Sequence, residues 1–386
     1  MKIGYIQSMR TDSTKGGGYV HVTQMAKELL NRGHLLYSNL PDESDDFIKI
    51  DFSNNRRRAD EIDVFYIRIH GSNWNDELTK YRLLNVQAPC IWEINAPLEE
   101  MRKRGITEKK LNKLNKRRRE LAQMVNAAIC VSQEMEEYAK KYLGFKKTYF
   151  IPNGSNIERF CPGYHEDELF DSSKFNVIWC GSAEYSWSGL SIVEQVADKL
   201  DKYNEEIQLI IAEDGESTKT IKYIGKISYM NIPRYLASAD AGLCIYKDID
   251  FYDKFFFSPL KLFDYMASGL PVIGSNLGQI KNVITENSNG LLTDTSVEDI
   301  IEKILVLKMN KSLARKMGEN GRQVAVRYYN WKRVAEETEK VLESVIIDER
   351  EAYSLHKFKK IFKRNYIIDI LKMLRHIVLN NLFIYL

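Results

Sequence analysis

The sequence predicts a two-domain α/β protein with parallel sheets and a helical C-terminal tail. Short apolar runs alternate with helix-like periodicity over most of the chain, which is the pattern of the strand and helix units that build parallel sheets. The length of 386 residues exceeds one ordinary domain core, so two domains are expected. The C-terminal tail is basic and amphipathic, and it has a different pattern from both domains.

The predicted domain boundary lies near residue 160. An apolar strand at 149–151 leads into Pro152, Asn153 and Gly154, residues that favour a tight turn, and the boundary is placed just beyond this turn. The predicted parts are an N-terminal domain at 1–160, a C-terminal domain at 161–330, a long helix at 331–348 and the tail at 349–386.

The composition limits the class of function. The 56 basic and 53 acidic residues leave a formal net charge of +3, so no overall field favours nucleic acid. The five cysteines are odd in number, scattered and without metal-ligand spacing, which indicates reduced thiols and a cytoplasmic protein. The N-terminus lacks the pattern of a signal peptide, and no apolar run reaches the ~20 residues that span a bilayer.

Three glycines follow the first predicted strand, at 2–6. Gly16, Gly17 and Gly18 precede a helix predicted at 20–32. Glycines let the backbone approach a ligand closely, and the free amides of a helix start suit a phosphate or a sugar hydroxyl. The spacing differs from the dinucleotide-binding fingerprint, so a flexible surface loop is the alternative interpretation.

The most informative run of the chain is 258–275. It predicts a helix that begins near Pro259 and ends at Gly269, followed by a buried strand. The free amides at the helix start, with Lys261 beside them, form an expected phosphate site. Asp264, one turn into the helix, can accept two hydrogen bonds from a vicinal diol such as a ribose. We therefore expect Asp264 to face a ligand cleft and not the core.

This run resembles the donor-site signature of the retaining glycosyltransferases of family 4. The resemblance extends over roughly residues 1 to 346 and implies the GT-B fold, in which two Rossmann-like domains face each other across a cleft. It assigns Asp264 to the second glutamate position of the signature, which holds the donor ribose, whereas the first glutamate position falls on Phe256. It further implies that the first domain holds the acceptor, that the second holds the donor, and that the helix at 331–348 returns to the first domain.

Several positions depart from the usual residues of that family. Ser182 and Ser188 stand where a basic pair serves the diphosphate, which leaves Lys261 as the candidate replacement cation. Asn95 stands where many members have a histidine, in a phrase, Glu-Ile-Asn-Ala-Pro-Leu, that resembles a recognised subgroup. An asparagine is not a general base, so Asn95 is expected to hydrogen-bond the transferred sugar or the acceptor. A plain turn residue before Pro97 is the alternative.

Two further motifs bear on the donor. Lys226 lies where the backbone of the resembled family reads the edge of the base. Asp248 and Asp250 form a short Asp-x-Asp pattern, which binds a metal-nucleotide in the other glycosyltransferase fold. We interpret the pattern as chance, because the order of elements resembles GT-B, whose members need no metal for donor binding. No metal and no cofactor are therefore predicted, and the nucleotide sugar is a substrate.

Two basic segments indicate a membrane partner. Residues 102–119 are rich in Lys and Arg, and residues 356–386 place apolar and basic side chains on opposite faces of one helix. Both segments suit anionic headgroups. The alternatives are a solvated helix face for the first segment and, for the second, a helix packed on the protein's own surface or in an oligomer. The first segment lacks interleaved aromatic residues that stack bases, so no nucleic acid partner is predicted.

Together these features predict a metal-independent, hexosyltransferase-type glycosyltransferase with retention of configuration. The acceptor is expected to be a lipid-linked or polysaccharide glycan at the cytoplasmic face of a membrane. The candidate catalytic residues are Asn95 and Lys261, and the candidate donor-binding residues are Gly16, Gly17, Gly18, Ser182, Ser188, Lys226, Ser258, Leu260 and Asp264. The alternatives are a degenerate nucleotide- or sugar-binding module and a phosphorylase or epimerase on the same fold. The sequence leaves open the nucleotide, the sugar and the acceptor.

Overall fold

The computed structural model describes most of the chain. The described residues are 1–7, 16–40, 47–49, 61–69, 88–163, 169–183, 187–201, 206–247 and 254–351, without the side chains of 103 and 104. The chain divides into two compact units, Met1–Glu339 and Lys340–Leu386. The predictions for Asp248, Asp250 and the segment 356–386 lie outside the described residues.

The first sheet has seven parallel strands in the order β3-β2-β1-β4-β5-β6-β7. Its strands are β1 (Lys2–Gln7), β2 (Leu35–Ser38), β3 (Ile48–Lys49), β4 (Val64–Arg68), β5 (Cys90–Ile94), β6 (Ala127–Cys130) and β7 (Thr148–Phe150). The central strands β4, β5 and β6 are buried along nearly their whole length, as expected for parallel strands covered on both faces.

The helices around the first sheet begin at residues that suit helix starts. They are α1 (Gly17–Asn31), a 3₁₀ helix (Leu98–Arg104), α2 (Glu108–Met124) and α3 (Gln133–Tyr138), which continues as a π-helical turn (Ala139–Leu143). Thr107 and Ser132 cap α2 and α3, because each side-chain oxygen accepts a backbone N–H of the first turn. The structure begins α1 at Gly17, three residues before the predicted start, so the glycines form the first turn itself.

The second sheet has six parallel strands in the order β10-β9-β8-β11-β12-β13. Its strands are β8 (Phe175–Cys180), β9 (Ile207–Ala212), β10 (Ile221–Tyr223), β11 (Ala241–Cys244), β12 (Val272–Ser275) and β13 (Gly290–Thr293). The two parallel sheets confirm the predicted fold class. The domain boundary predicted after residue 160 stays a prediction, and it falls between β7 and β8.

The helices around the second sheet alternate with its strands. They are α4 (Leu190–Leu200), α5 (Ile232–Ala237), α6 (Leu260–Ala267), α7 (Gly278–Val283), α8 (Val297–Met309) and α9 (Lys311–Tyr328). Residues 331–339 are helical at the end of the first unit, and residues 340–351 are helical in the second. Among the described residues, none of the helices combines the length and the apolar character needed to cross a membrane.

Helix α9 holds the C-terminal end of α6 in place. Arg322 donates hydrogen bonds to the carbonyl of Ala267, the last residue of α6, and to the carbonyls of Ile157 and Phe160. These carbonyls lack helical partners, and a guanidinium is well suited to satisfy them. Gly318 lies at the closest approach, because a Cβ built on it would lie 2.0 Å from the carbonyl oxygen of Gly269.

This contact predicts opposite effects for two glycines of α9. Gly318→Ala should destabilise the protein by about 1–3 kcal/mol, because the added methyl group meets backbone that cannot move aside. Gly321→Ala is the matched control, since its nearest atoms lie at 3.6 Å, and it should be neutral or stabilise by up to ~1 kcal/mol. Urea unfolding of both variants measures the difference, and equal stability would contradict the packing described.

Candidate active site

The glycine loop before α1 lies beside the start of α6. Gly16 caps α1 with a φ of +97°, a conformation that glycine adopts without strain. A Cβ built on Gly17 would lie 3.2 Å from Leu260 Cδ1, and one built on Gly18 would lie 3.7 Å from Arg68 Nη1. The loop is therefore enclosed by the end of β4 on one side and the start of α6 on the other. The structure thus brings the predicted glycines together with Leu260.

The ammonium group of Lys261 lies close to the C-terminal end of β8. Its Nζ lies 4.4 Å from the ring centre of Trp179 and 4.8 Å from that of Tyr246. A Cβ built on Gly181, the residue after β8, would lie 3.1 Å from the same Nζ. The residue as a whole is partly exposed, but Nζ is buried and has no hydrogen-bond acceptor among the described residues. Burial lowers the pKa of Lys261 to about 8.

Asp264 differs from the expectation that it faces the cleft. The side chain is only 5% exposed, and its Oδ1 accepts a hydrogen bond of 2.6 Å from Ser155 Oγ. The hydroxyl of Tyr229 lies 3.5 Å from the same oxygen. Burial raises the pKa of Asp264 to about 7, although both hydroxyls favour the ionised form.

Ser258 joins the start of α6 to the turn that follows β7. Its Oγ accepts the backbone N–H of Asn153 at 2.9 Å, and its carbonyl accepts Asn153 Nδ2 at 2.7 Å. The hydroxyl oxygen and the carbonyl of Ser258 are therefore engaged within the protein, and the residue is 6% exposed. Its predicted role in donor binding stays a prediction.

A buried polar chain continues from Asn153 into the first sheet. Because Asn153 Nδ2 donates to Ser258, its Oδ1 faces His21 Nδ1 at 2.7 Å. His21 Nε2 lies 2.9 Å from a carboxylate oxygen of Glu93 in β5. Both ring nitrogens of His21 thus lie within hydrogen-bond distance of oxygen atoms from other segments.

Glu93 is the anionic centre of this chain. It is 1% exposed and also accepts hydrogen bonds from the hydroxyl of Tyr66 and from Arg68 Nε at 3.2 Å. Burial by itself would raise the pKa of Glu93, but His21, Arg68 and Tyr66 together lower it to about 2. The sequence analysis missed Glu93 and His21. The available signal was a carboxylate in the apolar run Cys-Ile-Trp-Glu-Ile, where a charge is buried only if it is paired.

The loop after β8 is held by Glu213, another residue that the sequence analysis missed. Glu213 accepts the backbone N–H of Ala183 at 3.0 Å and lies 3.3 Å from Lys226 Nζ. The side chain of Lys226 is 54% exposed, and its ammonium group pairs with acidic residues at the same edge of the second sheet. Ser182 is partly exposed within this loop, whereas Ser188 is buried ahead of α4. Their predicted roles at the diphosphate stay predictions.

Asn95 and Phe256 occupy different environments. Asn95 is partly exposed directly after β5, at the same edge of the first sheet as Arg68. Phe256 is 1% exposed and packs edge-on against Tyr138, and its carbonyl accepts a hydrogen bond of 2.7 Å from Ser132 Oγ. Phe256 therefore joins the segment before α6 to α3, and its side chain offers no polar group to a sugar. Across the part of the chain that is described, no group of three or more His, Cys, Asp or Glu side chains could hold a metal ion.

The raised pKa of Asp264 predicts a pH-dependent stability. The folded protein keeps a proton on Asp264 up to about pH 7, whereas the unfolded chain releases it near its ordinary pKa of 3.8. The free energy of unfolding should therefore fall as pH rises through this window. Asp264→Asn removes the ionisation, so it should be more stable than wild type by over ~1 kcal/mol at pH 8 and equal to it at pH 4.

Denaturant unfolding at both pH values measures this difference. Asp198→Asn is the matched control, because Asp198 is exposed on α4 and its loss should change neither value. A stability difference between Asp264→Asn and wild type that does not depend on pH would contradict the buried placement of the carboxyl group.

The chain resembles known glycosyltransferases in sequence. Residues 191–340 match the family model described as glycosyl transferase-like. A GDP-mannose-dependent monoacylated α-(1-6)-phosphatidylinositol monomannoside mannosyltransferase of Corynebacterium glutamicum is 23% identical over 255 residues, which are 58% of this chain and 64% of that protein. The chain covers between 45% and 64% of the length of four curated glycosyltransferases that it matches.

Comparison with solved structures extends over nearly the whole chain. Sucrose-phosphate synthase of Thermosynechococcus elongatus superposes with a TM-score of 0.68 at 14% identity, covering 90% of this chain and 99% of that one. The Anabaena protein HepE in complex with UDP-glucose superposes with a TM-score of 0.67 at 15% identity, covering 89% and 100%. The chain therefore has the GT-B fold, and its second half carries the glycosyl transferase-like sequence pattern.

Proposed function

We propose that this protein is a glycosyltransferase that uses a nucleotide-sugar donor. The GT-B fold, the family match over residues 191–340 and the similarity to mannosyltransferases all support the proposal. The chain spans only part of those curated relatives, so the support from the fold and from its own residues carries most weight. HepE binds UDP-glucose in its solved structure, and the Corynebacterium glutamicum relative is GDP-mannose-dependent. These two nucleotide sugars are therefore the first donors to test.

The observation that carries the proposal is the buried ammonium group of Lys261. A buried charge without a hydrogen-bond acceptor is unfavourable unless a ligand supplies one. Lys261 belongs to the first turn of α6, whose start has no side-chain cap, and its buried Nζ lies close to Gly181. An anion bound at this position would meet a cation and a helix start together. A diphosphate has the charge and the oxygen atoms for both.

The remaining donor contacts follow from this position. Asp264 lies one turn further along α6 and is proposed to bind the ribose hydroxyls, which requires its carboxyl group to leave Ser155. The glycines at 16–18 leave room for the diphosphate or the sugar where the loop meets Leu260. Asn95, at the edge of the first sheet, is proposed to hydrogen-bond the transferred sugar or the acceptor.

The chemistry we propose is front-face transfer with retention of configuration and without a metal ion. The acceptor oxygen forms a bond to the anomeric carbon while the bond from that carbon to the diphosphate oxygen breaks. The leaving diphosphate takes the proton of the acceptor hydroxyl, so no protein base is needed. The protein stabilises the charge that develops on the diphosphate through Lys261 and the amides of α6. The hydroxyls of Ser182 and Ser188 are proposed to contribute to the same charge stabilisation.

A lipid-linked or polysaccharide acceptor is proposed from the charge on α2. Lys109, Lys113 and Lys116 are all exposed and recur at helical spacing, so they form one face of the helix. We call these three residues the basic face of α2. A row of exposed cations attracts anionic headgroups through charge, and the attraction is screened by salt. The protein would then act as a peripheral enzyme at a membrane surface.

A nucleotide- or sugar-binding module without turnover is the second candidate. It is favoured by Phe256, which is buried where the resembled family places a glutamate, and by the engagement of Asp264 with Ser155. Transfer or hydrolysis of UDP-glucose and GDP-mannose separates the two candidates, because a module without turnover binds nucleotide and releases no product.

The role of Lys261 gives a direct test of the site. Lys261→Met should lower turnover at least ~tenfold, which corresponds to about 1.4 kcal/mol of transition-state stabilisation. Because the pKa of Lys261 is about 8, nucleotide diphosphate affinity should decrease above pH 8 in wild type and lose this dependence in the variant. Turnover and calorimetric titration with UDP and GDP measure both effects.

Lys281→Met is the matched control for Lys261→Met. Lys281 is exposed on α7, so its removal should leave turnover and the pH dependence unchanged. Full activity of Lys261→Met would contradict the proposed role, and Arg68 and Lys226 would then be the next cations to examine.

The membrane proposal predicts a salt-dependent association with anionic vesicles. Changing Lys109, Lys113 and Lys116 together to Gln should reduce co-sedimentation with phosphatidylglycerol vesicles, and wild-type binding should weaken as salt rises. The matched control changes three exposed lysines of the second half to Gln, namely Lys281, Lys311 and Lys316. Equal binding of both triple variants would show that α2 has no special role.

A further inference from the structure

A small pocket lies between the 3₁₀ helix, α2 and the helix after β6. Its volume is about 130 Å³, below the ~300–1,000 Å³ that encloses a drug-sized ligand, so it suits a small polar ligand or the polar end of a larger one. The residues that line it include Glu99, Arg102, Asn112, Asn115, Arg119 and Tyr138. None of them was predicted as a donor-site residue.

The floor of the pocket is a hydrogen-bonded carboxylate. Glu99 is 2% exposed and accepts Asn115 Nδ2 at 2.7 Å through one oxygen and the Tyr138 hydroxyl at 2.9 Å through the other. These bonds fix the orientation of the Asn115 amide, because only its Nδ2 can donate to a carboxylate. Asn115 Oδ1 is consequently the free end of the amide.

Asn115 Oδ1 has no hydrogen-bond donor among the described residues. The residue is 8% exposed, so the oxygen is shielded from bulk water, and an acceptor without a partner is unfavourable there. A hydroxyl group entering the pocket would supply the missing donor.

Of three arginines around the pocket, Arg118 and Arg102 interact with carboxylates of the described residues and Arg119 does not. Arg118 is buried behind the floor and interacts electrostatically with Glu99, and Arg102 donates two hydrogen bonds to Glu108 at 2.7 and 3.2 Å. Arg119 lines the pocket, is exposed, and has no ion-pair partner in the part of the chain that the structure describes. It lies one helical turn from Asn115, so one small ligand can reach both. The pocket therefore has room for a negative charge beside a hydroxyl.

We propose that this pocket binds an anionic carbohydrate group, in which a sugar hydroxyl donates to Asn115 Oδ1 and a phosphate or carboxylate oxygen accepts from Arg119. The 3₁₀ helix begins three residues after Asn95, so the pocket lies on the half of the molecule assigned to the acceptor. As part of an acceptor site the pocket rests on the proposed function, but its binding can be measured without turnover.

The test is calorimetric titration of the full chain with four probes. Glucose 1-phosphate and glucuronate carry both a charge and hydroxyls, methyl glucoside carries only hydroxyls, and inorganic phosphate carries only the charge. At least one charged sugar should bind ~tenfold more tightly than methyl glucoside and inorganic phosphate. The comparison between glucose 1-phosphate and glucuronate distinguishes a phosphorylated from a carboxylated sugar.

Arg119→Gln should weaken binding of the charged sugar at least ~tenfold, the usual effect of losing one charge-assisted hydrogen bond. Lys110→Gln is the matched control, because it removes the same charge from an exposed position of α2 that does not line the pocket. Asn112→Asp places a negative charge at the pocket and should also weaken binding, and thermal unfolding shows that each variant remains folded.

Three results would overturn the inference: no binding of either charged sugar, equal binding by Arg119→Gln and wild type, or equal binding of inorganic phosphate and glucose 1-phosphate. Titration of the same samples with UDP and GDP keeps the two proposals apart. Nucleotide binding without sugar binding rejects the pocket and supports the donor site. Sugar binding without nucleotide binding supports the pocket as a binding site. It rejects the proposal that the pocket holds the acceptor of a nucleotide-sugar-dependent transfer.

Discussion

The structure depends on one buried hydrogen-bond chain, from Glu93 through His21 and Asn153 to Ser258. Each link joins a residue of one segment to a residue far away in the sequence, and all four residues are less than 9% exposed. A buried polar group without its partner is strongly unfavourable, so the removal of one member leaves the others unsatisfied. These hydrogen bonds therefore fix the start of α6 relative to the end of the first sheet. The glycine loop lies at the same place.

The same buried polar residues explain why Asp264, at the second glutamate position of the resembled signature, is buried. Asn153 and Ser155 belong to one short passage after β7, and this passage is covered by Asn330 and Trp331. A Cβ built on Gly154 would lie 2.7 Å from the carbonyl carbon of Asn330, so the passage has no room to move outward. Ser155 is consequently held within hydrogen-bond distance of Asp264, whose carboxyl group is drawn into the interior. In the proposed mode of donor binding, Asp264 exchanges that contact for the ribose hydroxyls.

In the proposed phosphate site, the positive charge comes from Lys261 of α6 and not from the loop after β8. The basic pair expected on the loop after β8 is absent, and the cation comes from α6 and lies against two aromatic rings. Cation–π contact stabilises an ammonium group without using its N–H donors, so Lys261 keeps those donors for a ligand. Its lowered pKa follows from the same burial, which makes an anionic ligand the natural source of compensation.

The sequence by itself determined the parallel α/β architecture, the α6 helix with its following strand, and the candidate roles of Lys261, Asp264 and the glycines. Those features depend on periodicity, on capping residues and on short motifs, all of which are local along the chain. Only the tertiary structure decided that Glu93, His21 and Asn153 form one chain, that Ser258 is engaged, and that Asp264 is buried. Their partners are separated by 72 to 132 positions in the sequence. No pattern within one segment specifies such pairs, because burial and pairing are set by how the two sheets pack together.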